Sequence, residues 1–264
     1  WWDPARKAWT YPATPQHAVI IRRTIPKLAT SASFDALTAL KKAAPREKHV
    51  TTAAPDLPAG LKTRPWRHQI AAYEFAMERF LQGRYGVMLA MGMGTGKSLV
   101  ACMLILGLRA MRVLIACPLR VVPVWISQFE RHVGIPVVVA GLDEDAGSVA
   151  QKQKLAAEKL RLAEARGVPF IAVINYDSVW RAPFAAWAES QPWDLIIADE
   201  SHRLKAPGGK ASLFFKRIRT KARYRAGLTG TPMPHSPLDA YAQFRFLDPS
   251  IFGPSFAAFR QKYA

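Results

Sequence analysis

The stretch Met91-Gly92-Met93-Gly94-Thr95-Gly96-Lys97-Ser98 decides how this chain is read. Before it, Gly86-Val87-Met88-Leu89-Ala90 is short and apolar, the pattern of a buried strand. After it, residues 99–108 are an apolar run that suits a helix. A strand, a glycine-rich turn and a helix opening on Gly-Lys-Ser form the context of a phosphate-binding loop. The glycines let backbone N–H groups converge on an anion, and the helix N-terminus adds positive potential. On this reading Met93, Gly94, Thr95, Gly96, Lys97 and Ser98 bind a nucleotide. Lys97 reaches the β- and γ-phosphates, and the Ser98 hydroxyl holds Mg²⁺. Met91 stands where the first glycine of the pattern is usual. The plain alternative is a glycine-rich turn in an ordinary strand–helix unit, against which Gly94, Gly96, Lys97 and Ser98 fall together in the right context.

Leu195-Ile196-Ile197-Ala198-Asp199-Glu200-Ser201-His202 is the second informative stretch. An apolar strand ends in two carboxylates, at the sheet edge where open α/β folds bind ligands. Asp199 is a candidate to hold Mg²⁺ through water, and Glu200 to orient and deprotonate the water that attacks a γ-phosphate. Alone, the pattern could equally be a solvated strand end; the phosphate loop favours the catalytic reading. Leu228-Thr229-Gly230-Thr231-Pro232 follows a further expected strand. Hydroxyls on such a turn can bond neighbouring carboxylates and report nucleotide state; the alternative is an ordinary Gly-Pro turn.

The formal net charge is +18, from 37 Lys and Arg against 19 Asp and Glu, and it predicts a polyanionic partner. The basic residues run from Arg6 to Lys262 without a polybasic tail, which favours nucleic acid across a folded surface over an anionic membrane. A merely soluble basic protein is the alternative. Cys102 and Cys117 read as buried thiols in a reducing compartment. No Cys/His spacing suggests a metal site, no apolar run is long enough to span a bilayer, and no signal peptide is visible. The chain begins with Trp1, the start expected of a fragment or a processed product.

Along the chain, residues 1–60 read as a small α+β accessory module and linker. Aromatics flank Asp3-Pro4, which suggests two short strands folded back on each other. Helices are expected through Val19, Ile21 and Arg22, and again through Phe34, Leu37 and Leu40. Residues 61–264 read as one α/β domain. A helix is expected over 67–81, from Ile70, Tyr73, Met77, Phe80 and Leu81. Strands are expected over 86–90, 113–117, 137–140, 170–174, 195–198 and 225–228, and helices over 99–110, 122–133, 151–166, 178–189 and 210–219. The alternation implies a central parallel sheet flanked by helices. The helix over 151–166 reads as a solvated amphipathic one.

Together MGMGTGKS, DESH and LTGTP resemble motifs I, II and III of superfamily-two helicases, most nearly the Swi/Snf-like branch of DNA translocases, in particular bacterial and phage members. Arg64-Pro65-Trp66-Arg67-His68-Gln69 is similar to the segment whose glutamine recognises adenine, which makes Gln69 a nucleotide contact. Val113-Leu114-Ile115-Ala116-Cys117-Pro118-Leu119, with Trp125, Phe129 and Glu130, looks like motif Ia. Ile174-Asn175-Tyr176-Asp177 looks like motif Ib, and residues 243–249 through Phe259 and Tyr263 look like the helices after motif III.

The resemblance covers about 61–264. It implies a RecA-like P-loop lobe that binds ATP and Mg²⁺ and belongs to a DNA-dependent ATP hydrolase. Lys97, Asp199 and Glu200 would be catalytic, Ser98 and Asp199 metal-linked, and His202, Thr229, Gly230 and Thr231 coupling residues. Pro118, Leu119, Arg120, Asn175 and Tyr176 would lie near the tracked strand of a duplex held without sequence preference. For Tyr176 and Trp125 the alternative is core packing, preferred for Trp125. An RNA or single-strand helicase lobe, or a non-catalytic DNA-binding fragment, are the rival readings. Gly92 stands where the family commonly has an acidic residue. The second RecA-like lobe, with motifs IV to VI and its arginine finger, is not expected within these residues, so the isolated lobe should hydrolyse ATP poorly. The resemblance also implies a cytoplasmic protein of a bacterium or phage-infected cell. Trp2-Asp3-Pro4 with Lys7 and Trp9 resembles the start of the HARP-type module of annealing helicases; a buried aromatic hairpin is the alternative.

Overall fold

Six short strands rich in Val, Ile, Leu and Ala form a wholly parallel sheet; from one edge to the other they are Gly86–Ala90, Ala222–Thr229, Trp193–Asp199, Arg112–Cys117, Phe170–Asn175 and Val138–Gly141. They are β3 (Gly86–Ala90), β4 (Arg112–Cys117), β5 (Val138–Gly141), β6 (Phe170–Asn175), β7 (Trp193–Asp199) and β8 (Ala222–Thr229). The computed structural model describes residues 57–263 and, before them, only the backbone of 2–3 and 8–9. There β1 (Trp2–Asp3) and β2 (Ala8–Trp9) pair antiparallel, Trp2 opposite Trp9, as the aromatics around Asp3-Pro4 suggest. The helices expected near Val19 and Phe34 lie outside the described residues. Asp56–Ala264 is one compact unit and Trp1–Pro55 another.

Successive side chains of a strand point to opposite faces, so the sheet buries two apolar layers. Val113, Ile115, Ile171, Val173, Leu195 and Ile197 face a layer built from α1 (Arg67–Leu81), α2 (Lys97–Gly107) and α3 (Val122–His132). Leu114, Ala172, Ile174, Ile196 and Ala198 face the other. That second layer holds α4 (Val149–Arg166), α5 (Tyr176–Val179), α6 (Phe184–Ser190), α7 (Lys210–Ile218) and α8 (Asp239–Leu247). Helix α9 (Phe256–Tyr263) follows.

Local sequence accounts for most of the boundaries. Helix α1 buries Gln69, Tyr73, Ala76 and Phe80, one stripe at helical spacing. Helix α2 buries eight consecutive residues, Leu99 to Leu106, as a helix apolar all round must. Helix α4 begins two residues before the expected Gln151 because Ser148 caps it: the Gln151 N–H donates to Ser148 Oγ (3.2 Å) and Gln151 Oε1 accepts from the Ser148 N–H (2.8 Å). The single helix expected over 178–189 is two, α5 and α6. Pro183 has no N–H to give the preceding turn and its ring crowds that turn, so the helix stops and restarts. Among the described residues, no helix is long and apolar enough to cross a membrane.

Candidate functional site

The strand register brings the decisive residues to one level. Ala90, the last residue of β3, pairs with Thr229 of β8, and Leu228 of β8 pairs with Asp199 of β7. On the far side Cys117 pairs with Asn175. All of these lie at the carboxyl edge of a parallel sheet, where the strand-to-helix loops leave a crevice.

In the loop from β3 to α2, Gly94 and Gly96 take left-handed backbone angles (φ 74° and 78°) that glycine adopts without steric cost. Gly96 is required for a second reason: a Cβ there would sit 2.2 Å from Gln69 Nε2. The Lys97 ammonium folds back over the loop, 3.3 Å from the carbonyl oxygens of both Met91 and Gly92. Thr95 Oγ1 donates to the Gly92 carbonyl (2.7 Å). The Gly92 carbonyl oxygen thus takes contacts from both Lys97 and Thr95. Ser98 is half-buried in the first turn of α2, and Met93 lies exposed at the rim (84 %).

Gln69 is buried beneath this loop. Its Nε2 donates to the Thr95 carbonyl (3.0 Å), and its Oε1 accepts from the Trp66 N–H (2.8 Å). His68 Nε2 lies 2.9 Å from the same Thr95 oxygen. The amide expected to read adenine thus ties α1 to the phosphate loop and has both ends engaged.

Asp199 is buried and held from two sides. The Trp125 indole N–H donates to one carboxylate oxygen (2.9 Å), and the Glu200 backbone N–H to the other (3.0 Å). The Tyr176 hydroxyl donates to the Asp199 carbonyl (2.7 Å). Burial raises the Asp199 carboxyl from 3.8 to about 6. The Trp125 bond pulls it down, the Glu200 charge pushes it up, and the Glu200 N–H and the Lys97 charge pull it down further. Glu200 itself has left-handed angles (φ 51°, ψ 53°) at the head of the short 3₁₀ turn Ser201–Leu204. For a residue with a Cβ that conformation costs on the order of 1–2 kcal/mol and points to a constrained position.

His202 joins the second stretch to the third. Its Nδ1 lies 3.3 Å from Glu200 Oε2 and 3.1 Å from Thr229 Oγ1. Burial lowers its pKa; the Glu200 charge opposes this, and Arg203 and Lys205 reinforce it. Thr229 Oγ1 accepts from the Thr231 N–H (3.1 Å), and the Thr229 carbonyl accepts from the Met91 N–H (3.1 Å). A Cβ on Gly230 would meet Met93 Cγ at 3.3 Å, so the turn lies directly against the phosphate loop. Fully buried Gln243 completes the connection. It accepts from Ser201 Oγ (2.8 Å) and donates to the Pro232 carbonyl (2.6 Å).

Residues expected to meet nucleic acid divide. Leu119 and Arg120 are exposed on the 3₁₀ turn Leu119–Val121 after β4, and Pro118 is half-buried before them. Asn175 and Tyr176 turn inward. Asn175 Oδ1 caps α5 by accepting from the Asp177 and Ser178 N–H groups (2.7 and 2.9 Å), and the Tyr176 ring packs on Phe215. Their side chains therefore act inside the lobe, which leaves only backbone groups there for a polymer.

The comparisons with known proteins agree with this geometry. A family model described as an SNF2-related domain matches residues 68–264. The chain belongs to the SNF2-related family. DNA repair and recombination protein RAD54B of Gallus gallus is 26% identical over 202 residues, covering 72% of this chain and 20% of the relative. RNA polymerase-associated protein RapA of Pseudomonas savastanoi pv. phaseolicola is 28% identical over 204 residues, covering 73% and 20%. The chain thus spans about a fifth of the length of these relatives. The Sulfolobus solfataricus SWI2/SNF2 ATPase core, solved in complex with dsDNA, superposes with a TM-score of 0.64 at 24% identity, covering 80% of this chain and 41% of that one. That likeness carries the fold.

Two features of this SNF2-related lobe escape sequence reading. Trp125 was expected to be core, and it is fully buried, but it also orients Asp199 across 74 residues of chain. Lys152, on a helix expected to be solvated, is buried with Asp143 as an ion pair. Asp143 also accepts from the Asn175 backbone N–H (2.7 Å) and from the Asn175 amide, and Lys152 donates to Ser178 Oγ (2.9 Å).

Ser98, in the first turn of α2, and Asp199, at the end of β7, are the candidate side-chain donors for a divalent cation at this edge. Among the described residues, no group of three or more His, Cys, Asp or Glu could hold a metal alone. Such a sparse oxygen set fits Mg²⁺, which keeps several waters and takes phosphate oxygens alongside one or two protein donors.

Proposed function

We propose that this lobe binds Mg-ATP at the loop 91–98 and serves an ATP-dependent motor that moves on, or remodels, duplex DNA. One observation carries the reading: the phosphate loop, Asp199-Glu200 and the Thr229-Thr231 turn meet at one sheet edge, bonded through Met91 to Thr229 and through His202 to both Glu200 and Thr229. Lys97 would leave the Met91 and Gly92 carbonyls for the β- and γ-phosphates. Asp199, held by Trp125, would face the cation through water with Ser98. Mg²⁺, when bound, would neutralise charge on the phosphates. Glu200 would hold the attacking water, and His202 would pass the state of that carboxylate to the turn at Thr229. The second RecA-like lobe of a longer chain would supply the groups on the opposite side of the γ-phosphate. A cytoplasmic site of action accords with two free, buried cysteines; burial raises the Cys102 thiol to about 12.

Duplex DNA is the favoured polymer because of the +18 charge, the exposed Leu119 and Arg120, and the double-stranded partner of the Sulfolobus solfataricus neighbour. The test is fluorescence anisotropy with labelled duplexes from low to moderate salt. The logarithm of affinity should fall linearly with the logarithm of salt concentration, and permuting the bases should change little. Tighter binding to single-stranded RNA, or binding indifferent to salt, would overturn it.

The Asp199 carboxyl sets a pH window. Its folded value is raised to about 6, so the folded state holds more protons than the unfolded one between 3.8 and 6. The resulting stability contribution is full below 3.8 and is lost as pH rises through 6. Cation binding runs the other way, because it needs the ionised form. The Mg²⁺-dependent part of ADP affinity should therefore be full above pH 7 and fall as pH drops through 6, and Asp199→Asn should remove that dependence. Titrations at several pH values check it.

A further inference from the structure

Among the described residues, β3 pairs with β8 alone, in one-to-one register, so its other side is an open sheet edge. The Arg225 N–H donates to the Tyr85 carbonyl (2.8 Å), and the Met91 N–H to the Thr229 carbonyl (3.1 Å). Backbone groups alternate sides along a strand, so Val87 and Leu89 also serve β8, and the N–H and C=O of Gly86 and Met88 face away from it. They open onto a groove of about 370 Å³ that runs along Gly86, Val87 and Met88. Phe75 of α1, 44 % exposed, walls it from one layer; Phe244 of α8 and Ile251, 52 % exposed, wall it from the other. Edge strands that stay unpaired commonly carry Lys, Pro or a bulge, and Gly-Val-Met-Leu-Ala has none of these.

The groove is also cationic. Arg79 and Arg84 line it, and among the described residues neither guanidinium has a carboxylate partner. Asp248 lines it too, but its Oδ1 already accepts from the Ser250 N–H (3.0 Å) and hydroxyl (2.6 Å). Outward main-chain donors and acceptors two residues apart match another extended backbone, and apolar walls match its alternate side chains. The two arginines favour carboxylates among those side chains. We propose that this edge docks an extended, acidic segment of a partner protein, which adds a strand beside β3.

The experiment is fluorescence anisotropy at moderate salt with the 264-residue chain and labelled peptides of about eight residues. One alternates Val with Glu, one alternates Val with Lys, and the third is the Val–Glu peptide methylated on every backbone amide. The third separates strand pairing from adsorption onto a chain of charge +18, because it keeps the carboxylates and loses the N–H donors. The Val–Glu peptide should bind at least about tenfold more tightly than either of the others. Arg84→Glu and Phe75→Ala, both at exposed positions, should each weaken it about fivefold. Met88→Pro should abolish binding, because it removes an outward N–H that β8 does not use. Circular dichroism checks that each variant is folded; should Met88→Pro unfold the lobe, the two surface variants decide. Equal binding of the methylated peptide, no binding of the Val–Glu peptide, or indifference to both Arg84→Glu and Phe75→Ala would overturn the proposal. So would sedimentation showing that the chain alone forms a dimer that Phe75→Ala dissolves, because the edge would then belong to a second copy.

Discussion

Lys97→Ala is expected to weaken Mg-ADP binding about 100-fold and to leave the fold intact. The ammonium is half-buried, and its contacts are two long ones to the Met91 and Gly92 carbonyls, so its removal opens no core cavity. Against a phosphate the same group makes charge-assisted hydrogen bonds, worth about 1.5–3 kcal/mol each. A melting temperature unchanged from the parent, beside a lost calorimetric signal, is the expected pair of results. Equal affinity in the variant would remove the loop from the nucleotide site.

The second large effect lies away from the loop. Lys152→Met should destabilise the lobe by about 3–5 kcal/mol, because it leaves the Asp143 carboxylate buried without its cation. For a domain of this size that is a fall of roughly 10 °C in melting temperature. The Asp143 and Lys152 side chains are only 2% and 7% exposed, so solvent cannot take the lost partner's place. Asp143→Asn added to Lys152→Met removes the orphaned charge, keeps an acceptor for the Asn175 N–H, and should recover part of the loss. The consequence is local as well as global. Asp143 holds Asn175, Asn175 caps α5, and Tyr176 at its first turn holds the Asp199 carbonyl. Thermal melts of the three proteins check the order. A single variant as stable as the parent would show that the pair does not support this turn.

What was legible in the sequence was whatever local pattern dictates. The apolar run before Met91 is β3, residue for residue, and the helix read from Tyr73 and Phe80 is α1 at its observed bounds. Gly94, Gly96, Lys97 and Ser98 announced the loop because each residue type is needed there for a separate physical reason. Pairings between distant segments were not legible. Nothing near Trp125 signals that its indole meets Asp199, and nothing in a Lys- and Ala-rich helix signals that Lys152 has a buried acidic partner while Lys154 is exposed. Asn175 and Tyr176 were placed near the tracked strand by a motif, with core packing as the alternative for Tyr176; their side chains are buried, one capping α5 and the other bonding the Asp199 carbonyl. Gln69 is a polar residue on the buried stripe of α1, and its bonds to Trp66 and Thr95 were likewise not legible in the sequence.

The central claim is that the loop at 91–98 and the strand end at Asp199 form one site for a magnesium nucleotide. A double-mutant cycle tests it most directly: calorimetric affinity for ADP, with and without Mg²⁺, in the parent, Lys97→Ala, Asp199→Asn and the combined variant. The account predicts that Mg²⁺ strengthens binding in the parent, that Asp199→Asn abolishes the strengthening, and that the combined loss is smaller than the sum of the two single losses. ADP binding indifferent to Mg²⁺ in the parent, or two losses that add independently, would contradict it.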